Sequence, residues 1–287
     1  MRNQKTSVTA LDAALARKTP LLRVGKALAK LELLRPTGGV DDRALGAWEA
    51  AGLASGSRAV AVGTMGAALA GAAWARARGV ELHQIVRGPL THEGLKALQI
   101  WSPAVEHVAS PIAAERRAQQ LSIDATLLPP LDGAVAVNAV AATLGAELVA
   151  DLEGQPVSSA GTPLPYAPGA APLILIAPAG SRAGLLGCLK AAGGRYRNLR
   201  AIALVAASRE DELPDLPFEA DFDAAVELLK VTRPEAAAAR AWLTRTAGLL
   251  AGHAAAAAVR IADGLGAVAL VTSTGEREFS LDAKVAS

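Results

Sequence analysis

The sequence predicts an α/β protein with two open-sheet lobes that carry helices on both faces. Short aliphatic runs alternate with segments of helical spacing over residues 57–121, and the alternation resumes after residue 172. Parallel strands need crossover helices, so this rhythm is typical of parallel sheets covered by helices. The chain has 287 residues, 52% of them hydrophobic, which is enough for a sizeable core or for two smaller ones.

In the first alternating stretch, each aliphatic run ends at a turn and a helical segment follows. Thr91 suits the N-cap of one of these helices, because a threonine hydroxyl accepts a bond from a free first-turn amide. Upstream, the segment DRALGAWEAAG predicts a helix capped by Asp41 or Asp42. The predicted strands are 57–63, 80–86 and 104–109, and the predicted helices are 64–79, 91–101 and 111–121.

The second half begins with a Pro- and Gly-rich stretch, residues 127–172, that contains one predicted helix, VNAVAATLGAELVADL. The buried strands APLILIAP and LRAIALVAAS then enclose the helix SRAGLLGCLKAAGG. A loop rich in proline and acidic residues, EDELPDLPFEADFD, precedes a long Ala-rich helical region from Pro234 to Asp263. The segment GAVALVTSTGERE predicts a last strand and a polar loop.

Composition excludes several classes of function. The chain has 29 basic and 27 acidic residues with 3% aromatics, so we expect no nucleic-acid binding. The single cysteine, Cys188, excludes disulfides and predicts a small buried hydrophobe. The spacing of the four histidines matches no metal-binding motif, and the G-x-S-x-G nucleophile motif of hydrolases does not occur. The polar N-terminus lacks a signal-peptide core, and no uninterrupted apolar run spans a membrane, so we expect a cytoplasmic protein that binds no membrane.

Ligands of open α/β sheets bind beyond the carboxyl ends of the strands, which directs attention to the loops Gly63–Gly66, Pro178–Ser181 and Thr272–Gly275. The first has the spacing G-x-x-G, which does not match the dinucleotide fingerprint. The second could receive an anion at the amides of Gly180 and Ser181, although no P-loop lysine follows and Ser181 equally suits an N-cap.

In order and approximate spacing, these loops resemble those of the fold type II pyridoxal-phosphate (PLP) enzymes, of the cysteine synthase, cystathionine β-synthase, threonine synthase and tryptophan synthase β kind. TPLLRV resembles their T-P-L-x-x-L, and KLELLRPTGGVDDR resembles K-x-E-x-x-N-P-T-G-S-x-K-D-R. AVGTMG and APAGS stand where that family has T-S-G-N-T-G and the phosphate-binding G-T-G-G-T. AGLLAGHAAAAAV and TSTGERE resemble E-G-I-x-x-G-x-S-S-G-A-A and P-x-S-G-E-R-Y.

The departures from the family pattern fall on its functional positions. The Schiff-base lysine maps to Asp41, whose carboxylate cannot capture the cofactor. In the phosphate loop, Pro178 lacks an N–H and alanines replace two glycines. Other lysines, Lys96, Lys190 and Lys230, are predicted to lie on helices outside the cleft. The residues that remain as candidates for a ligand cleft are Arg35, Thr37, Asp41, Asp42, Gly63, Thr64, Met65, Gly66, Gly180, Ser181 and Thr274.

The resemblance therefore implies a pseudoenzyme with a larger lobe of residues 1–44 and 131–287 and a smaller lobe of residues 45–130. We expect no PLP, with residual binding of an anion or a small amino acid, and a homodimer or a heterodimer with an active paralogue. Two alternatives stay open. One is a PLP-independent lyase or transferase that uses the remodelled cleft, with Asp41 as a base. The other is a PLP-dependent β-replacement enzyme that uses a lysine elsewhere in the sequence.

Overall fold

The structure is a computed structural model that describes residues 11, 13–88, 90–101, 104–154, 172–206 and 225–273. The chain divides into two compact units. The first unit comprises residues 1–17, 34–139 and 276–287, and the second comprises residues 18–33 and 140–275. The predicted lobe boundaries at 44/45 and 130/131 stay a prediction.

The strands follow most of the predicted aliphatic runs. In chain order they are β1 (Leu21–Val24), β2 (Ala27–Lys30), β3 (Arg58–Gly63), β4 (Glu81–Arg87), β5 (Val105–Val108), β6 (Thr126–Leu127), β7 (Leu173–Pro178), β8 (Leu199–Ala206), β9 (Ala225–Val231) and β10 (Val268–Leu270).

The helices also lie close to their predicted positions. In chain order they are α1 (Asp41–Ala44), α2 (Gly46–Glu49), α3 (Met65–Arg78), α4 (His92–Trp101), α5 (Pro111–Leu121), α6 (Ala134–Val140), α7 (Ala146–Glu153), α8 (Arg182–Gly193), α9 (Arg233–Ala247) and α10 (His253–Leu265). A π-helical turn, Ala141–Gly145, joins α6 to α7, and short 3₁₀ turns occupy Glu32–Leu34 and Ala179–Ser181.

The first unit holds a parallel sheet with the strand order β5-β4-β3-β6. Helix α3 packs closely on it because most of its buried residues are alanine or glycine. A methyl group on Gly71 would lie 2.5 Å from the Trp48 ring. Trp48 packs edge-to-face on Trp74 with ring centroids 5.4 Å apart, and its Nε1 donates to the Pro129 carbonyl at 2.7 Å.

The second unit holds a sheet with the strand order β1-β2-β10-β7-β8-β9. Strands β1 and β2 pair antiparallel, and the other neighbours pair parallel. Its core includes the run Ala255–Val259 of α10, whose small side chains let this helix approach the sheet. Cys188 is fully buried on α8, which confirms its prediction as a core residue.

The predicted Ala-rich helical region from Pro234 to Asp263 consists of two helices, because Gly248 adopts a left-handed conformation with φ of 67° and ends α9. The structure corrects two other sequence predictions. Lys230 lies on strand β9 and not on a helix. Neither Asp41 nor Asp42 caps the helix that follows, since the N-cap residue is Val40 without a side-chain bond. The predicted cap at Thr91 is confirmed, because its Oγ1 accepts from the Gly94 amide at 3.0 Å.

Among the described residues, one helix, Ala134–Glu153, is long and apolar enough to cross a membrane by length and composition alone. Half of its apolar window is buried inside the protein, as in the core helix of a globular domain. Its α7 segment also carries Glu147, whose carboxylate forms a buried ion pair with Lys30. The cytoplasmic location stays a prediction.

Candidate functional site

The Arg35–Arg43 loop, which contains Asp41, is held by buried polar residues. Arg35 is 5% exposed, and its guanidinium donates to the carbonyl of Arg17 at 2.8 Å and to that of Leu15 at 2.7 Å. A buried guanidinium that binds backbone carbonyls positions a loop and is not free to receive a ligand.

Asp42 holds the same loop from the other side. Its Oδ2 accepts from the Thr37 amide at 2.9 Å, and its Oδ1 accepts from the Thr37 hydroxyl at 2.6 Å. Between the two residues the chain turns at Gly38, whose φ is 74° and whose amide donates to the Arg35 carbonyl at 2.8 Å. Because its carboxylate reaches backward to Thr37, Asp42 is not placed to cap the helix that follows.

Asp41 is partly buried and brings two predicted loops together. Its carboxylate lies directly over Gly66, in the first turn of α3. A methyl group on Gly66 would collide with Oδ2 and lie 3.4 Å from Cγ of Asp41. The start of a helix carries a partial positive charge, so a carboxylate there is stabilising. Asp41 of the Arg35–Arg43 loop therefore contacts the Gly63–Gly66 loop.

The remaining residues of that loop serve local structure. Thr64 is the N-cap of α3, and its hydroxyl accepts from the Ala67 amide at 3.5 Å. Met65 packs into an apolar cluster between α3 and α4, and its sulfur lies 3.6 Å from the Thr91 hydroxyl. Gly63 ends β3 where a methyl group would lie 2.7 Å from Cβ of Ala67. Helix capping and packing therefore account for the residue type at each of these three positions.

In the second unit, the loop that stands in place of the phosphate loop is short of donors. Pro178 ends β7 as a buried residue without an N–H, and the 3₁₀ turn Ala179–Ser181 follows it. Gly180 is exposed, and a methyl group there would meet nothing within 4 Å. Ser181 takes the N-cap position of α8 without a side-chain capping bond. Thr274 lies outside the described residues.

Sequence analysis missed a buried ion-pair network in the second unit. Lys30 is fully buried, and its Nζ donates to Glu147 at 2.5 Å, to Asp151 at 2.6 Å and to the Thr19 carbonyl at 2.7 Å. Thr19 also donates through its amide to Glu147 at 2.7 Å and through its hydroxyl to the buried Glu32. The sequence signal was the K-x-E within KLELLRP, which the resemblance contained without assigning it a role.

The network uses all three N–H donors of the Lys30 ammonium group. The Nζ of this lysine is therefore fully engaged by its three partners. The other described lysines, Lys18, Lys26, Lys96, Lys190 and Lys230, are exposed. Within the described ranges no group of three or more histidine, cysteine or acidic residues is placed to hold a metal ion.

Neither the protein-family models nor the curated proteins gave a match to this chain. Solved structures do match over nearly its whole length. O-ureido-L-serine synthase superposes with a TM-score of 0.74 at 19% identity, over 96% of this chain and 98% of that one. A lysine-to-alanine variant of that enzyme with bound O-ureido-L-serine superposes with the same TM-score at 18% identity, over 94% and 91%.

An O-acetylserine-dependent cystathionine β-synthase from Helicobacter pylori superposes with a TM-score of 0.72 at 19% identity, covering 94% of this chain and 96% of that one. At identities this low the likeness establishes the fold and not the activity. The chain therefore has the two-sheet α/β architecture of the fold type II PLP-dependent enzymes.

Proposed function

We propose that this chain is a pseudoenzyme of the fold type II class that acts by binding, scaffolding or regulation through a dimer or a partner protein. The observation that carries the proposal is the contact of the Asp41 carboxylate with Gly66. At the position where the resemblance calls for a reactive amine, the side chain is an acid that supports the packing of its own unit.

The residues present do not fit PLP. Capture of the cofactor needs a lysine amine, and a carboxylate cannot replace it. Pro178 offers no amide to a phosphate group, and Ala177 is fully buried beside it. Of the described lysines, Lys30 is engaged by three partners, and the others are exposed. These features support a fold that is retained without the cofactor.

The same geometry argues against acid–base chemistry without PLP. Such chemistry needs polar groups that are free to meet a substrate. Arg35 donates to the backbone carbonyls of Arg17 and Leu15, and Asp42 accepts from Thr37, so both side chains are already engaged within the protein. Thr64 caps α3. Asp41 lies against the first turn of α3.

The partner part of the proposal follows from the resemblance, since fold type II enzymes are typically dimers. The lysine-to-alanine variant of O-ureido-L-serine synthase has O-ureido-L-serine bound. A fold of this kind that lacks a lysine can therefore still hold an amino acid, and a small amino acid is the ligand we expect here if the cleft binds one.

The test compares turnover of O-acetyl-L-serine by the purified chain, with and without added PLP, against the H. pylori cystathionine β-synthase as an active control. We expect no turnover above that of free PLP, together with a dimer or larger complex in sedimentation velocity. PLP-dependent turnover would refute the pseudoenzyme. Turnover without PLP that Asp41→Asn abolishes would instead establish the acid–base alternative.

A further inference from the structure

A pocket of about 370 Å³ lies at the amino ends of β3 and β4, within the first unit. Residues Arg58–Val60 and Glu81–His83 line it from these two strands. The Gly63–Gly66 loop lies at the carboxyl end of β3. The pocket and the Asp41 site therefore lie at opposite ends of this strand. Small-molecule sites span roughly 300–1,000 Å³, and this volume suits a small ligand.

The deep part of the pocket is apolar. Val60 and Leu82 come from the strands, and Ala72 and Ala75 come from α3; all four are buried. Trp101, the last residue of α4, also lines the pocket and is 43% exposed. An exposed indole beside buried aliphatic side chains offers a flat surface on which a planar or apolar group can stack.

The lining also carries charged side chains. Arg58 and Glu81 face each other in register on the parallel strands, and Arg76 projects from α3. No ion pair forms at any of these three residues within the part of the chain that the structure describes. By contrast Arg78, two residues along the same helix, pairs with Glu49 at 2.8 Å. Two guanidinium groups against one carboxylate leave the pocket positive.

His83 adds a polar ring atom to the same lining. Its Nε2 atom is buried and makes no hydrogen bond among the described residues, and Glu106 Oε2 lies 3.4 Å from it. That carboxylate accepts from Arg117 Nε at 3.0 Å, so Arg117 already engages it. A buried polar atom without a partner costs free energy unless a ligand satisfies it.

We propose that this pocket binds a small organic anion, a carboxylate or a phosphate joined to a planar or apolar body. Arg58 and Arg76 receive the anionic group, Trp101 stacks on the body, and the buried side chains of Val60 and Leu82 contact its apolar edge. The inference is independent of the proposed function, because none of these residues belongs to the Asp41 site.

The test uses two fluorescent probes that share one body. 8-Anilinonaphthalene-1-sulfonate carries an anionic group, and N-phenyl-1-naphthylamine is its uncharged counterpart. We expect saturable binding of one sulfonate probe per chain. Replacing Arg58 and Arg76 together by methionine should weaken the sulfonate probe about tenfold or more and leave the neutral probe unchanged, since the lost interactions are charge-assisted. Trp101→Ala should weaken both probes.

Arg116→Met is the matched control, because Arg116 is an exposed arginine of the same unit that does not line the pocket. Its affinity for both probes should equal that of the wild type. Equal unfolding midpoints in urea establish that the pocket variants are folded. If the double arginine variant and Trp101→Ala bind the sulfonate probe as tightly as Arg116→Met does, the proposal is overturned.

Competition distinguishes the two sources of negative charge. Indole-3-acetate supplies a carboxylate on a planar body, and phenyl phosphate supplies a phosphate. Displacement of the sulfonate probe by one of them supports the site and identifies the anionic group that it prefers. Displacement by neither at millimolar concentration contradicts the proposal.

Discussion

The contact between Asp41 and Gly66 predicts that Gly66→Ala destabilises the protein when Asp41 is present and stabilises it when Asp41 is absent. Gly66 lies in the first turn of α3 with an ordinary helical backbone, so alanine should by itself stabilise the helix by up to about 1 kcal/mol. In the folded protein, however, the new methyl group meets the Asp41 carboxylate. Moving that carboxylate aside should cost about 1–3 kcal/mol, as overpacking of a well-filled site does.

Gly66→Ala should therefore destabilise the wild type by about 1 kcal/mol, the difference between these terms. In an Asp41→Ala background the obstacle is gone, and the same substitution should stabilise the protein by up to about 1 kcal/mol. The coupling energy of the double-mutant cycle is then about 2 kcal/mol, well above the roughly 0.5 kcal/mol within which independent sites add.

Equilibrium unfolding in urea, followed by tryptophan fluorescence, measures the four corners of the cycle. Gly264→Ala in α10 is the control, because a methyl group there meets nothing within 4 Å. It should stabilise the protein in both backgrounds alike. If Gly66→Ala has the same effect with and without Asp41, the carboxylate does not lie over the start of α3 and the structural role given to Asp41 is wrong.

Three further predictions concern other buried polar groups. Lys30→Met leaves buried carboxylates without their cation and should lower the free energy of unfolding in urea by about 3–5 kcal/mol, whereas the exposed Lys18→Met should change it by less than about 0.5 kcal/mol; equal effects would contradict the network. Asp42→Ala removes the acceptor of two buried bonds and should cost about 1–3 kcal/mol in the same assay, and a neutral outcome would count against those bonds. Burial, reinforced by the nearby Glu153, raises the pKa of Tyr196, whose hydroxyl has no hydrogen-bond partner among the described residues. Because the folded pKa lies above the unfolded value of 10.0, the protein should lose stability as the pH rises above 10, and Tyr196→Phe should remove that loss; an unchanged alkaline slope would refute the assignment.

Much of the fold could be predicted from the sequence because its local signals agree with its packing. Helix α3 begins at the capping residue Thr64 and ends at Gly79, whose φ of 69° favours glycine. The aliphatic runs of β7 and β8 form largely buried strands of a parallel sheet. Such elements need no knowledge of distant contacts.

The elements that sequence analysis missed depend on partners far along the chain. Strand β2 contains Lys30, which is buried only because acidic residues of α7 approach it. Strand β9 follows an acidic segment and is specified by its pairing with β8. The direction of the Asp42 side chain likewise depends on the turn at Gly38, which places Thr37 behind it. Propensity and spacing do not report such contacts.

The candidate site stays a prediction as a set of loops, and its residues could not be given roles from sequence. Alignment to the family pattern placed Asp41 at the lysine position, and only the coordinates place it against Gly66. The pattern offered Met65 as a cleft residue, whereas its packing into an apolar cluster explains it without a ligand. Sequence resemblance identifies positions, and packing decides what the side chains there do.

The central claim is that no lysine of this chain captures PLP. Its most direct test is reduction of the protein with borohydride in the presence of PLP, followed by peptide mapping by mass spectrometry, on the native chain and on the chain unfolded in urea. Labelling of each lysine in the native chain should not exceed that in the unfolded chain. Stoichiometric labelling of one particular lysine in the native chain alone would contradict the pseudoenzyme and identify the residue that replaces the missing amine.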